Sequence, residues 1–281
     1  MARMRLPRPP TQWGLAAGGI LKMTYKIRSR SNQQVKDLVK KKDRYFFFEG
    51  RKLVEDILER GNEIAILIVN EERENDLDIP SHAVVREMWV VSGPVLEKIS
   101  ALKEKPDFIA VLEPREKPPD FRHAKVIIGL DSIQDPANAG TIFRCAAAFG
   151  IDSIAFTGTG VNPTNIKFLR SAQDAFFEVN RQRFRNVEAL IEAAKQANPG
   201  INVYLTSSHI TGQEITPRQI ELPCLILFGN EGKGLDKGLF ERYPVVRVPQ
   251  AGKVESLNVG ISACIIMYEI MRKTCMDEGK G

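Results

Sequence analysis

Apolar positions along the chain fall into two series of short runs and amphipathic stretches, separated by a polar gap. In the first series, residues 33–42 place Val35, Leu38 and Val39 on one side of a helical period and lysines on the other. The aromatic run at 45–48 predicts a buried strand, 50–61 a helix closed by Gly61, and 64–69 another strand. Residues 84–85 and 89–91 read as weaker strands, 94–102 as a helix, and 108–112 as the strand that closes the unit. That alternating order predicts a small α/β sandwich. Residues 113–120 are charged, carry three prolines and hold no apolar side chain, which marks a linker.

The second series opens with a strand at 126–130, a polar turn at 131–140 and a helix at 141–149 stopped by Gly150. A strand at 153–157, helices at 165–175 and 187–197 and a strand at 203–206 follow. Two further apolar runs then open into loops. The first, 225–235, carries Gly229, Gly232 and Gly234; the second, 248–260, runs into an apolar helix over 257–273. Strands separated by helical stretches predict a mostly parallel sheet covered on both faces. Loops at the carboxyl ends of such strands are where an α/β protein holds a ligand.

Composition adds the class and the partner. Hydrophobic content of 43% and charged content of 27% are those of a globular chain, and no apolar run is long enough to span a bilayer. The net charge is +5, but residues 1–50 hold twelve Lys/Arg against three acids, a local +9, so the remainder carries −4. A basic amino-terminal part on a near-neutral body points to a polyanion gripped at one end, against the alternative of a solvated basic tail. Cys145, Cys224, Cys264 and Cys275 show no CxxC or zinc spacing and read as reduced, mostly buried thiols of a cytoplasmic protein, with no metal. Residues 1–22 are Arg-rich and acid-free; they read as a disordered leader, with Met23 as an alternative start and organelle targeting as a lesser alternative.

Familiar site motifs fail one after another. The glycines from 229 lack the lysine of a phosphate-binding loop, since Leu235 stands where it belongs, and Lys237 replaces the last glycine of a dinucleotide fingerprint. Pro223-Cys224 heads an apolar strand, which predicts a buried, inert thiol rather than a nucleophile. His82, His123 and His209 all lie outside the glycine loops. What remains is a polar set on three loops: Asn138, Gly140 and Arg144 in Asn-x-Gly-x-x-x-Arg, then Glu231, then Ser256 and Asn258. Singly, each has a structural explanation, with Asn138 and Asn258 as helix caps and Arg144 in an ion pair.

Together, Asp135-Pro-Ala-Asn-Ala-Gly-Thr-Ile-Phe-Arg144, Phe228-Gly-Asn-Glu-Gly-Lys-Gly-Leu235 and Val248-Pro-Gln-Ala-Gly-Lys-Val-Glu-Ser-Leu-Asn-Val259 resemble the three ordered motifs of SpoU/TrmH-class RNA 2′-O-ribose methyltransferases of the SPOUT superfamily. Gln250 and Gly260 depart from the commonest residues of the third motif. The first unit is similar, on looser features, to the substrate-binding domain of rRNA-directed members. The resemblance implies five segments: a basic leader at 1–28, an RNA-binding domain at 29–112, a linker at 113–122, a methyltransferase domain at 123–276 and a tail at 277–281. It implies a carboxy-terminal trefoil knot, a homodimer, and S-adenosylmethionine held by Thr206, Ser207, Phe228, Gly229, Asn230, Gly232, Val248, Pro249, Ser256 and Leu257. Arg144, Asn138, Glu231, Ser256 and Asn258 are the implied catalytic set. The RNA would meet Lys26, Arg28, Arg30, Lys36, Lys40, Lys41, Lys42, Arg44, Arg51 and Lys52. The expected activity is methyl transfer to a ribose 2′-hydroxyl, with rRNA ahead of tRNA; the alternative is a non-catalytic RNA-binding or ribosome-assembly protein on the same fold.

Overall fold

The computed structural model describes residues 20–101, 105–115, 117–207, 214–253 and 255–277. His209 and the leader up to residue 19 lie outside them. The chain divides into two compact units at Pro114/Arg115.

Among the described residues the first unit is one five-stranded sheet with three α-helices. Its elements run β1 (Ile20–Ile27), α1 (Gln33–Lys40), β2 (Phe46–Glu49), α2 (Arg51–Glu59), β3 (Ile64–Asn70), β4 (Val84–Val91), α3 (Gly93–Ile99) and β5 (Phe108–Leu112). The strand order is β1-β4-β3-β5-β2, parallel from β1 to β3 and antiparallel through β5 and β2. Two sequence expectations change here. The expected leader at 1–28 ends earlier, because residues 20–27 pair with β4 along its whole length. The two weak strands at 84–85 and 89–91 are one strand. Arg86 and Glu87 interrupt its apolar pattern, but Arg86 is taken up by Glu63 and, at 3.0 Å, by Glu113, while Glu87 accepts the Trp89 indole N–H at 2.9 Å. The buried Glu49 is likewise structural, accepting from Ser100 Oγ and the Ala101 amide.

The second unit is a seven-stranded, wholly parallel sheet. Its elements are β6 (Val126–Asp131), α4 (Pro136–Ala148), β7 (Ser153–Thr157), α5 (Ile166–Ala172), α6 (Ala175–Glu178), β8 (Asn180–Arg183), α7 (Val187–Ala197), β9 (Asn202–Thr206), β10 (Glu214–Ile215), β11 (Cys224–Phe228), β12 (Val245–Val246) and α8 (Val259–Asp277). The order β10-β12-β9-β11-β6-β7-β8 puts β11 and β6, the strands feeding the first two motifs, side by side at the centre. One core joins Leu225 and Leu227 to Ile127, Ala155, Leu190 and Ile191 of α7. On the other face, Phe143 of α4 meets Phe156 and Phe168, with ring centroids 5.8 and 4.9 Å apart.

The linker is shorter than the expected 113–122. Lys117 bridges to Arg181, and Phe121 is buried in the core against Phe184. Strand β8 was not expected, because Asn-Arg-Gln-Arg has no apolar run; as an edge strand it has only one neighbour to bury it. The cysteine expectation also changes. Cys145 of α4 and Cys264 of α8 form a disulfide, with Cα atoms 5.6 Å apart across 119 residues of sequence. Spacing along the chain cannot reveal that two helices so far apart in sequence pack side by side. Cys224 is buried as expected, and burial pushes its thiol up to about 12. Among the described residues no helix is long and apolar enough to cross a membrane, and no cluster of side chains could hold a metal.

Candidate active site

The site lies where the turns after β6 and β11 meet the start of α8. Glycine makes that meeting possible. A Cβ on Gly229 would stand 2.5 Å from the Gly234 carbonyl carbon and the Leu235 nitrogen, so only glycine lets the loop after β11 fold back on itself. Asn230 closes the fold. Its side-chain oxygen accepts from the Gly232 and Lys233 amides, both at 3.0 Å, and its Nδ2 donates to Ser132 O at 2.8 Å. The loop after β11 is thereby tied to the loop after β6.

Glu231 points across this joint. It accepts from the amides of Gln134 and Asp135, at 3.1 and 3.2 Å, and from Asn138 Nδ2 at 3.1 Å. Burial acts to raise its pKa, but these hydrogen bonds and one from its own amide outweigh it and hold the carboxyl below its ordinary value. Asn138 is buried and uses both ends of its amide, its Oδ1 accepting from Asn258 Nδ2 at 2.9 Å. Asn258 then caps α8, accepting from the Gly260 and Ile261 amides at 2.9 and 3.3 Å. One residue from each of the three motifs thus joins a continuous chain, Glu231–Asn138–Asn258. The expected capping role moves by three residues: Asp135, not Asn138, caps α4 through the Ala137 amide.

Beside this chain opens a cleft of about 570 Å³. Of the residues expected to hold the cofactor, Thr206, Ser207, Phe228, Gly229, Asn230, Gly232, Val248, Ser256 and Leu257 line this cleft, and Pro249 does not. Lys233, Lys237 and Gln250 are further lining residues, with Leu235, Phe240, Val246 and Ile266 as the apolar part. Ser256 is exposed at the cleft. Arg144 stands outside the lining, exposed on α4 and without a hydrogen bond or ion pair among the described residues. It therefore makes no surface ion pair of the kind that would explain it structurally.

Sequence reasoning missed the second layer. Ser132 adopts φ 54, a left-handed conformation, and its hydroxyl accepts from the Thr159 amide. The loop after β7 packs on it so closely that a Cβ on Gly160 would stand 2.6 Å from Ile133 O. Arg183 of β8 holds this loop from outside, donating to Gly158 O at 3.0 Å and Val161 O at 2.6 Å. The pair Gly158 and Gly160 directly after a strand was the available signal.

In the first unit, several of the expected RNA-binding cations are already engaged. Arg28 pairs with Glu71 at 2.9 Å, Arg30 with Glu97, Lys26 with Glu74 at 3.4 Å, and Arg51 with Glu55 and Asp76. Lys42 lies over the Phe47 ring, and burial lowers its pKa. Lys36, Lys40, Arg44 and Lys52 are exposed without such partners among the described residues, and Lys41 is half-buried without one.

Residues 125–268 match the SpoU rRNA methylase family. The chain is 31% identical over 257 residues to the 23S rRNA (guanosine(2553)-2′-O)-methyltransferase RlmP of Bacillus subtilis, covering 87% of this chain and 98% of that one. It is 34% identical over 190 residues to an uncharacterised tRNA/rRNA methyltransferase of Synechocystis, 66% of this chain and 67% of the relative. The crystal structure of an AdoMet-bound rRNA methyltransferase from Sinorhizobium meliloti superposes with a TM-score of 0.74 at 27% identity, over 89% of this chain and 98% of its own.

Proposed function

The chain belongs to the SpoU rRNA methylase family, and from that premise we propose that it is an S-adenosylmethionine-dependent RNA methyltransferase acting on a ribose 2′-hydroxyl, with ribosomal RNA as substrate. The observation that carries this reading is the contact of Glu231, Asn138 and Asn258 beside the cleft. The residues present fit the cofactor. The cleft pairs an apolar part, Leu235, Phe240 and Ile266, with hydroxyl, amide and backbone groups of Thr206, Asn230 and Ser256, and a Cβ at Gly229 would displace the backbone that forms it. When bound, S-adenosylmethionine supplies a methyl group on a positively charged sulfur.

The hydrogen bonds divide the polar residues into two kinds. Asn138 donates to Glu231 and accepts from Asn258, and Asn258 donates to Asn138 and accepts at the start of α8. Glu231 is held ionised by several donors, which makes it a weak base. These three are positioning residues: they fix the two loops and the helix against each other. Arg144 and Ser256 have no side-chain hydrogen bond or ion pair among the described residues, and we assign them to the substrate. A guanidinium stays protonated, so Arg144 serves by holding the phosphate next to the target ribose and stabilising charge on its 2′-oxygen, rather than as a base. Ser256 orients the sugar.

The RNA is further held by Lys36, Lys40, Lys41, Arg44 and Lys52 of the first unit. The reading also includes the trefoil knot, a cytoplasmic site of action, and a homodimer formed through α8. The half-exposed Ile261 and Tyr268 support that use of the helix. Mapping of 2′-O-methyl sites in RNA from cells with and without the gene tests the proposal, together with calorimetry of the purified chain against S-adenosylmethionine. A missing mark in rRNA and a binding heat are expected. A missing mark in tRNA alone would move the substrate, and no missing mark with no heat would leave the non-catalytic RNA-binding protein.

A further inference from the structure

The seam between α4 and α5 carries cations that no part of the site described above uses. The two helices run antiparallel and very close. Ser171 Oγ donates to Ala137 O at 3.2 Å, a Cβ on Gly140 would lie 2.2 Å from Ser171 Cβ, and one turn further Phe143 meets Phe168 at 4.9 Å. Arg144 follows Gly140 by one helical turn, and Lys167 precedes Ser171 by one turn, so the antiparallel packing sets them opposite each other on the solvent side of the seam. Arg170 stands one turn along α5 from Lys167.

All three cations are exposed, and none has a hydrogen bond or ion pair among the described residues. The nearby carboxylates cap helix starts instead of pairing with these cations: Asp135 accepts from the Ala137 amide at 2.9 Å and Asp174 from the Ala175 amide at 3.1 Å. Three unpaired cations on two short adjoining helices repel one another, and a bound polyanion relieves that repulsion. Arg144 sits on α4, the helix that carries Asn138 into the site, and Lys167 and Arg170 sit on the adjoining α5.

We propose that Lys167 and Arg170 continue the Arg144 phosphate contact into a track for the RNA backbone flanking the target nucleotide, formed on the catalytic unit itself. The inference rests on the proposed methyltransferase function. One turn of α5 separates the two side chains, so each can meet a different phosphate. Such contacts fix register and orientation without reading bases. Lys167 and Arg170 are accordingly positioning residues, and their loss appears in RNA binding rather than in turnover at saturation.

The test uses the full chain and a short fluorescein-labelled single-stranded RNA of mixed sequence, titrated by anisotropy over a range of salt. Wild type is compared with Lys167→Gln/Arg170→Gln, with the milder Lys167→Arg/Arg170→Lys, and with Lys195→Glu on α7, which covers the opposite face of the sheet. The double Gln variant is expected to bind about 10-fold more weakly near 0.1 M salt, with a log–log salt slope shallower by about 1.4, two phosphates at about 0.7 each. The charge-preserving variant should restore the wild-type slope, Lys195→Glu should leave it in place, and S-adenosylmethionine heats should be the same in all four proteins. In methyl-transfer assays KM for RNA rises while kcat holds. An unchanged slope in the double Gln variant overturns the track, as does an equal loss from Lys195→Glu. If wild type gives no heat with S-adenosylmethionine, the methyltransferase reading fails instead, and the salt slopes still decide whether these cations bind RNA.

Discussion

Asn138→Asp is the sharpest probe of the site, because it keeps the side chain's shape and replaces one donor with an acceptor. Asn138 Nδ2 lies 3.1 Å from Glu231 Oε1, so the substitution sets two carboxylates at that distance. At an effective dielectric of about 20, two unit charges so close repel by roughly 5 kcal/mol. Glu231 is open to solvent on one side, which reduces the penalty to roughly 2–3 kcal/mol. That corresponds to about two pK units shared by the pair, so one of the two carboxyls takes up a proton in mildly acid solution.

The sign of the pH dependence then separates variant from wild type. In wild type the Glu231 pKa is lowered, so its share of stability is present above the unfolded carboxyl value of about 4.3 and is lost only as pH falls through the lower folded value. In the variant the upper pKa of the pair is raised; repulsion is present above that value and is relieved as pH falls. The assay is a series of circular dichroism melts from about pH 5 to about pH 8, read at the transition that S-adenosylmethionine shifts. At about pH 8 the variant should melt roughly 5–10 °C below wild type, and the gap should close by more than half toward about pH 5. A gap of constant size across that range, or none at all, would refute the contact between Asn138 and Glu231.

Three other outcomes follow from the packing. Gly229→Ala drives a Cβ to 2.5 Å from backbone atoms of Gly234 and Leu235, so S-adenosylmethionine affinity should fall at least about 10-fold by calorimetry while the first unit's melting is unchanged. The Cys145–Cys264 disulfide closes a span of 119 residues, which loop entropy values at up to about 4–5 kcal/mol, so reduction should lower the catalytic unit's melting point; four free thiols in air-oxidised protein would remove the pair. Cys224, buried with its thiol pushed up to about 12, should resist alkylation in the native protein and react only after unfolding, as peptide mass spectrometry would record.

What the sequence reveals of this fold follows from how local each signal is. Strands β6, β7, β9 and β11 are largely buried, so they read as apolar runs, and the glycines directly after β11 mark the carboxyl edge without reference to any distant residue. Strand β8 and strand β1 sit at sheet edges, where one neighbour suffices and polar or basic residues are tolerated; neither produced a recognisable run. Strand β4 reads as two because Arg86 and Glu87 interrupt its apolar pattern; Glu87 bonds locally to the Trp89 indole, but Arg86 is paired by Glu63 and Glu113, partners that only the assembled unit supplies. The disulfide fails for the same reason on a longer scale.

The site shows the same division between local and assembled signals. The three motifs name Asn138, Glu231 and Asn258, but a sequence cannot tell a residue that touches substrate from one that holds the frame, since both are polar residues in loops. The hydrogen bonds make that distinction. Asn138, Glu231 and Asn258 bond to one another and to the backbone amides at Gln134, Asp135, Gly260 and Ile261, which is the pattern of groups that hold a frame together. Removing any one of the three strands its partners, so their loss should lower cofactor affinity and stability together. Arg144, Lys167 and Arg170 carry no such burden among the described residues and stand outside the cleft lining, so their loss should leave cofactor binding and melting in place and appear only when RNA is present.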